Sequence, residues 1–423
     1  MSRYNPARGG GRPWLAWVLA LLPASVGAQG VPSGAPAGAS EGSTRTGELD
    51  STVAGRIIPP RDDVASAPTA LSSWVLWLRL GGSWDSNPRF LPETAANPDY
   101  SGTGGGGMSF TRRLSQGGIS LAGDAWLVRS QSGGALDRFN YSGVMDASYR
   151  LSPHATTSLR GTFGRSDSRE SAVLTSSGLL YAFTRTRTLT GASELSWQMS
   201  RRNGLLARVG YEDVSFEQSP LIDGAFLTTS ATFSHQAGAT SAIGLSYSLQ
   251  AITRPGPARP THTAFASWGG HMGRAWSLAL SAGATHLTPV VTGGVAWTPY
   301  GTADLTGRFR HGMLTLRYSR SLGLAYGLGE QRVADVATGQ ASHKLGKAVE
   351  VSLSGSWALN RDPENLNYRL TSYAARGGLA WSVTRRFDLM GGYYAYRSRP
   401  ASSGSDLSSQ GVYIMASLWT NWS

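Results

Sequence analysis

The chain has 423 residues, 54 glycines, no cysteine and 10% aromatic residues, enough length for a large core but none of the thiols that a disulfide or a lipidated N-terminal cysteine requires. Beyond the N-terminus no stretch approaches the ~20 apolar residues of a membrane-crossing helix, and long amphipathic helices are missing. The formal charge of +12 rests almost wholly on arginine, since Lys344 and Lys347 are the only lysines; the arginines are dispersed through a strand-like pattern without a recognition helix or RNA-binding signature, so nucleic acid is not the expected partner.

In chain order, Arg3, Arg8 and Arg12 form a basic segment before the apolar run Trp14–Leu22, which Pro23 ends. Val26, Gly27 and Ala28 place small residues where signal peptidase cuts, so residues 1–28 read as a secretory signal cleaved after Ala28. Residues 29–72 are rich in Gly, Ala, Ser, Pro and Thr and include Pro32, Pro36, Pro59, Pro60 and Pro68. Such a segment buries little apolar surface and reads as a disordered periplasmic linker.

From residue 73 to 423 the pattern is strand after strand. Trp74, Leu76, Leu78 and Leu80 share one face against Val75, Trp77, Arg79 and Gly81. The clearest case is Val349–Asn360: Val349, Val351, Leu353, Trp357 and Leu359 alternate with Glu350, Ser352, Ser354, Ser356 and Asn360. Alternation with period two gives one apolar and one polar face. The segments run ~10–14 residues, the length that a tilted strand needs to cross a bilayer, with aromatics such as Trp74, Tyr149, Trp381 and Trp422 near their ends. Strands cross lipid only as a closed barrel, where no backbone edge is left unpaired. The predicted fold is therefore all-β, a transmembrane antiparallel β-barrel.

Eight tight turns punctuate the pattern: around Ser115-Gln116, Pro153-His154, Arg201-Arg202, Ala237-Gly238, Gly273-Arg274, His311-Gly312, Gly346-Lys347 and Arg385-Arg386. Longer connections alternate with them, including Ser86–Pro98, Ser130–Asp137, Asp167–Phe183 and Ser398–Ser408. Eight hairpins plus the first and last strands give about eighteen strands. Sixteen is the alternative, because Thr261–Gly269 and Val333–His343 are poorly patterned. Short turns belong in the periplasm and longer loops outside.

The polar faces are expected to line the lumen, with Arg79, Asp124, Asp146, Arg150, Arg160, Glu194, Arg208, Glu212, Asp304, Arg308, Arg317, Glu350 and Arg376 as pore-lining residues. So many charges are costly in a dry core and are accommodated by water or by paired ladders. Arg320 falls on the apolar parity of its strand; a bulge, a register change or an interfacial position would each accommodate it. The tight-turn side gathers Arg112, Arg113, Arg201, Arg202, Arg274, Arg310, Lys344, Lys347, Arg385 and Arg386 into a basic periplasmic rim. Fixed positive charge concentrates anions at a channel mouth.

The histidines are scattered, mostly near turns, and none has metal-ligand spacing such as His-Glu-x-x-His; no Gly-x-Ser-x-Gly elbow sits between a strand and a helix. Gly104-Gly105-Gly106-Gly107 has no following lysine or helix, so it reads as a place where a strand bends or packs closely rather than as a phosphate loop. Neither an enzyme activity nor a cofactor or metal is expected.

At Trp84-Asp85-Ser86-Asn87-Pro88 the chain resembles the opening of large outer-membrane β-barrel porins of Gram-negative bacteria, in which an aromatic-Asp-Ser-Asn motif follows the first strand. The architectural likeness covers about Ser73 to Trp422, and it implies an outer-membrane channel without assigning any binding residue. Assembly signals in such barrels normally end on an aromatic residue, whereas here Ser423 follows Trp422. Some of these barrels are encoded with exopolysaccharide export systems. The expected partners are outer-membrane lipid, the barrel assembly machinery and, for an exporter, polysaccharide and periplasmic export components. The expected function is a water-filled porin for hydrophilic, preferentially anionic solutes or a secreted polysaccharide. Trp77, Trp126, Tyr394, Tyr396, Tyr413 and Trp419 are candidate aromatic rungs for a sugar chain. The alternatives are a non-conducting structural or adhesive barrel and a barrel-embedded hydrolase.

Overall fold

The computed structural model describes residues 72–92, 95–167, 184–217, 221–254, 259–287, 297–325, 327, 330–362, 369–400 and 406–422. The predicted signal segment and all but the last residue of the predicted linker lie outside them. The strands are β1 (Ser72–Asp85), β2 (Asp99–Leu114), β3 (Gly117–Ser130), β4 (Arg138–Ser152), β5 (Ala155–Asp167), β6 (Arg185–Gln198), β7 (Asn203–Glu217), β8 (Gly224–Gln236), β9 (Ser241–Arg254), β10 (Arg259–Met272), β11 (Trp276–Leu287), β12 (Trp297–Phe309), β13 (Gly312–Ala325), β14 (Glu330–Leu345), β15 (Val349–Arg361), β16 (Arg369–Ser382), β17 (Phe387–Pro400) and β18 (Leu407–Trp422). β1 begins at Ser72, one residue inside the predicted linker.

Each strand pairs antiparallel with its chain neighbour, in a single 18-stranded sheet. β1 also pairs with β18, from Trp74↔Trp422 to Asp85↔Gly411, so the sheet closes and keeps no free edge. Both poorly patterned segments are strands, β10 and β14, which settles the count at eighteen rather than sixteen. Eighteen strands ~4.8 Å apart, tilted ~40°, give a wall roughly 35 Å across, too wide for wall side chains alone to fill. All eight predicted tight turns join strands at the end of the barrel that also holds the start of β1 and the end of β18, through connections of two to four residues. The opposite end carries the other connections, of four to seventeen residues.

Strand parity decides which side chains face outward. Leu80 of β1 is 70% exposed, and Leu121, Leu159, Leu189, Leu245, Leu280, Leu316, Leu353, Leu379 and Ile414 stand exposed on other strands around the wall. The opposite parity holds Arg79, Asp124 and Glu212, the last only 2% exposed. A closed wall wearing large apolar side chains outside and charge inside is inverted relative to a water-soluble fold, and its outer surface suits lipid. The described residues hold no helix long and apolar enough to cross a membrane; the crossing is made by strands. The protein is an outer-membrane-type β-barrel.

Candidate functional site

The interior of the barrel is the candidate site. All of the predicted pore-lining residues fall on the inward parity of their strands, opposite the exposed apolar side chains. Pairing then brings opposite charges together. Asp146 and Arg160 face each other across β4 and β5, with Arg160 Nε 3.5 Å from Asp146 Oδ1. Glu194 on β6 opposes Arg208 on β7. Asp304 on β12 and Arg317 on β13 form a short ion pair. Arg376 sits 5.4 Å from the centre of the Tyr396 ring and donates to its hydroxyl. Arg150 and Arg308 are exposed at the tight-turn end, and Glu350 stands there opposite Lys344. On β8–β11 the described inward side chains carry hydroxyls rather than fixed charge, paired across strands as in Thr232–Ser246 and Thr263–Thr285, both at 2.9 Å.

Exposure of the inward face changes along the barrel axis. At the tight-turn end Ser148, Arg150, Arg308 and Lys344 are exposed. At the loop end Asn140, Thr186, Thr285, Asn360 and Ser398 are buried. The interior is thus a vestibule partly open at the tight turns, where Val75, Leu206 and Ser234 are nonetheless buried, and narrowed toward the loops.

The glycine run belongs to β2 and does pack closely. Gly105 and Gly107 face inward between β1 and β3, where a Cβ on either would collide with backbone: the Ala125 carbonyl beside Gly105 and the Gly123 carbonyl beside Gly107. The gap is filled by side chains of the flanking strands. Trp77 lies over Gly107, Trp126 over Gly105, and Arg79 and Asp124 interact electrostatically from opposite sides. Ser142 donates a short hydrogen bond to Asp124. Trp77, Trp126, Tyr394 and Tyr396 are all buried by packing, so these four do not present free faces to a sugar chain.

The motif that follows β1 builds a latch. Asp85 accepts from Tyr394 Oη of β17 at 2.8 Å, from Ser409 Oγ of β18 at 2.7 Å and from the Asn87 amide at 2.7 Å. The Asn87 side chain donates to the Leu91 and Ser408 carbonyls at 2.7 and 2.8 Å and accepts from the Leu91 amide at 3.0 Å. These bonds curl the chain back inside, where Phe90 is fully buried against Tyr394 and Tyr396 with Ala374, Leu407 and Tyr413 around them. Phe90 holds φ at 52°, a left-handed conformation that an aromatic residue adopts only when its surroundings enforce it. The latch therefore fastens the start of the first loop across the β1–β18 seam. Replacing Asn87 with Ala removes these three side-chain bonds, each worth about 1 kcal/mol net. Trypsin is expected to cut after the exposed Arg89 faster, with the melting of the barrel nearly unchanged; equal cleavage rates would count against the latch.

A second element narrows the loop end. β12 and β13 pair only as far as Gly301↔Arg320. Beyond that point β13 runs on with β14 as a hairpin, whose residue Gly327 makes two reciprocal backbone hydrogen bonds of 3.0 Å with Ile222 in the β7–β8 connection. That connection lies a third of the way round the wall, so the hairpin reaches it across the mouth. Residues 321–323 and 332, which have no wall partner on β12 or β15, are buried, as expected of a strap packed over the interior.

The predicted basic rim is where the turns put it. Arg112 and Arg113 end β2, Lys344 is near the end of β14, and Arg201, Arg202, Arg274, Arg310, Lys347, Arg385 and Arg386 lie in the tight connections. All are exposed.

Arg320 faces outward in an unbroken register, without a bulge or a register change. It pairs with Asp335 on the outward face, 3.6 Å from the carboxylate, which also binds Arg361 and accepts from Tyr318 Oη at 2.8 Å. Asp335, the strap and the inward turn of Phe90 escaped the sequence reading. Parity alone would have placed Asp335 on the same face as Arg320 had the register between their strands been known. Among the described residues no group of three or more His, Asp or Glu side chains is placed to hold a metal ion.

No protein-family model matches the chain, and no curated protein matches it. Similar solved structures include OccAB4 of Acinetobacter baumannii, 9% identical over 84% of this chain and 99% of that one, with a TM-score of 0.45. Pseudomonas aeruginosa OccK7 (OpdD) is 11% identical over 84% of this chain and 100% of that one, TM-score 0.45. A mutant of the Pseudomonas aeruginosa ferric enterobactin receptor PfeA is 8% identical over 83% and 81%, TM-score 0.43. The barrel assignment stands on the strand pairing itself and not on these likenesses.

Proposed function

We propose that the chain is a porin-like channel of the Gram-negative outer membrane, passing small hydrophilic solutes by diffusion, with a preference for anions set at its periplasmic mouth. The observation that carries the reading is the inner wall: side chains of both charges, several in cross-strand pairs, line a closed 18-strand barrel whose outer wall is apolar. A lumen meant to stay dry would not favour such a lining. Passage needs no nucleotide or redox chemistry; the pore walls supply hydration partners and a mixed field. The vestibule opens on the tight-turn end, where the exposed rim arginines raise the local anion concentration.

The test is electrical. Purified full-length protein in a planar bilayer is expected to give discrete conductance steps and, in a tenfold KCl gradient, a reversal potential on the anion-preferring side. Neutralising Arg201, Arg202, Arg385 and Arg386 to Gln is expected to move that potential toward zero, most clearly at low salt, where screening is weak. Absence of conductance overturns the channel. Cation preference that the four substitutions leave unchanged overturns the anion preference alone.

A further inference from the structure

The outer wall changes character toward the loop end. On β13 the outward side chains run Leu316, Tyr318, Arg320; on β15, Leu353, Trp357, Leu359, Arg361; on β16, Tyr373, Thr371, Arg369; on β17, Tyr393, Ala395, Arg397, Arg399. In each series an aromatic side chain precedes the arginine on the way to the loop end, directly on β13 and with one residue between on β15, β16 and β17. An aromatic ring marks the lipid–water boundary in membrane barrels, so the arginines stand at the level of the lipid headgroups.

Of the five arginines Arg320, Arg361, Arg369, Arg397 and Arg399, four share two carboxylates. Arg320 and Arg361 flank Asp335. Arg397 and Arg399 both bind Asp406, with Arg399 Nε and Nη2 donating at 2.8 and 2.9 Å. Arg399 first and then Arg397 hold the Asp406 carboxyl below the usual carboxylate range, so it stays ionised through the physiological range and its charge is accounted for. Arg369 is exposed and makes no ion pair among the described residues. These five arginines and two carboxylates leave three positive charges, spread over an arc of roughly 20 Å of wall. Arg397 and Arg399 also remain 54% and 62% exposed despite their shared partner, which leaves donors free for a further acceptor. The arc is local. At a comparable level on β9–β12 the outward face carries Tyr247, His262, His286 and Trp297, stacked ring against ring, and no arginine among the described side chains.

We propose that the outer wall of β13–β17 at the loop end is a docking surface for phosphate groups of lipid headgroups in the surrounding leaflet, best filled by a lipid bearing more than one phosphate. Guanidinium forks match phosphate oxygens in pairs, and the preorganised Asp335 and Asp406 hold four of the five forks in place. Charge complementarity and depth select a lipid over a soluble anion, because acyl chains of the same molecule lie against the apolar wall below. The proposal rests on the membrane placement of the outer wall and holds whether or not the lumen conducts.

The test uses the full-length folded protein in a neutral detergent, titrated with diphosphoryl lipid A, monophosphoryl lipid A, phosphatidylcholine and inorganic phosphate, binding being read by native mass spectrometry. Diphosphoryl lipid A is expected to bind tightest and phosphatidylcholine weakest. The variant carrying Arg361→Gln, Arg369→Gln and Arg399→Gln is expected to lose about tenfold or more in affinity for the diphosphorylated lipid, with phosphatidylcholine unaffected. Arg369→Glu alone, which breaks no described ion pair, keeps the proposal testable if the triple variant does not fold, and is expected to weaken binding more than Arg369→Gln. Equal binding of lipid A and phosphatidylcholine, unchanged affinity in Arg369→Glu, inorganic phosphate binding as tightly as the lipid, or occupation of this face by a second copy of the chain would each overturn it.

Discussion

Replacing Leu322–Val333 with a two-residue turn is expected to raise single-channel conductance roughly two- to threefold, since current follows the open cross-section of the narrowest region. The cut points suit a tight hairpin, because Ser321 and Ala334 are paired neighbours across β13 and β14. The wall keeps its pairing below them: β12 meets β13 up to Arg320, and β13 meets β14 from Gly312↔His343 up to Arg320↔Asp335. What is lost is the strap, its bridge to Ile222, the terminal β14–β15 pair Val333↔Arg361 and the packing of Leu322 and Val333 with Leu287. A gentler version is Gly327→Pro. It removes the amide that donates to the Ile222 carbonyl, and the ring cannot adopt the φ of 84° found there. That variant is expected to increase current noise and opening events without changing ion preference, because the rim arginines lie at the other end. Conductance and noise equal to the unmodified protein in both variants would show that the strap does not limit flow.

The second large effect is expected from the glycines of β2. Gly107→Val and Gly105→Val are each expected to destabilise the barrel by about 1–3 kcal/mol, the usual range for overpacking, and to lower the yield of folded protein. The obstacles are the Gly123 and Ala125 carbonyls, which cannot swing aside as a side chain does, and the Trp77 and Trp126 side chains, already buried. Gly102→Val on the same strand is the control. It meets nothing within 4 Å and is expected to be neutral or mildly stabilising, since valine restricts the unfolded chain. Urea unfolding followed by tryptophan fluorescence measures all three. Similar midpoints for Gly107→Val and Gly102→Val would mean that the strand yields where the packing says it cannot.

Much of this fold is written in period two. The alternation in Val349–Asn360 gives Leu353 to the lipid side and Glu350 to the interior without any knowledge of partners, and the turn residues fix where each hairpin begins. The charged lining was legible for the same reason, because a face is a local property of a strand. Segments broke the rule where tertiary structure makes both faces buried or mixed. β14 read poorly because its first residues run into the strap and the wall residues next to it, Val333, Ala334, Asp335 and Val336, are buried on both faces. β10 read poorly because it turns Phe265 inward onto Tyr300, ring centres 4.8 Å apart, while His262 faces out. The direction of a loop is not local at all. Nothing in Asn87-Pro88-Arg89-Phe90 alone announces that Phe90 will pack on Tyr394, which lies more than three hundred residues later. The same holds for Arg320, which looked like an exception until the register placed Asp335 opposite it.

The seam between β1 and β18 has a consequence for how the protein comes into being. Trp74 finds its partner in Trp422, nearly the whole chain away, and Asp85 finds Ser409. The strand made last is the one that removes the open edge of the strand made first. Until it arrives, any partly formed sheet offers two unpaired borders to other chains, and the loop entropy of joining them has yet to be overcome. Closure is therefore a slow, non-local event that synthesis alone cannot complete. The polypeptide must be kept apart from its neighbours until its end is released, and the latch at Asp85 and Asn87 can form only after that, since half of its partners belong to the final strand.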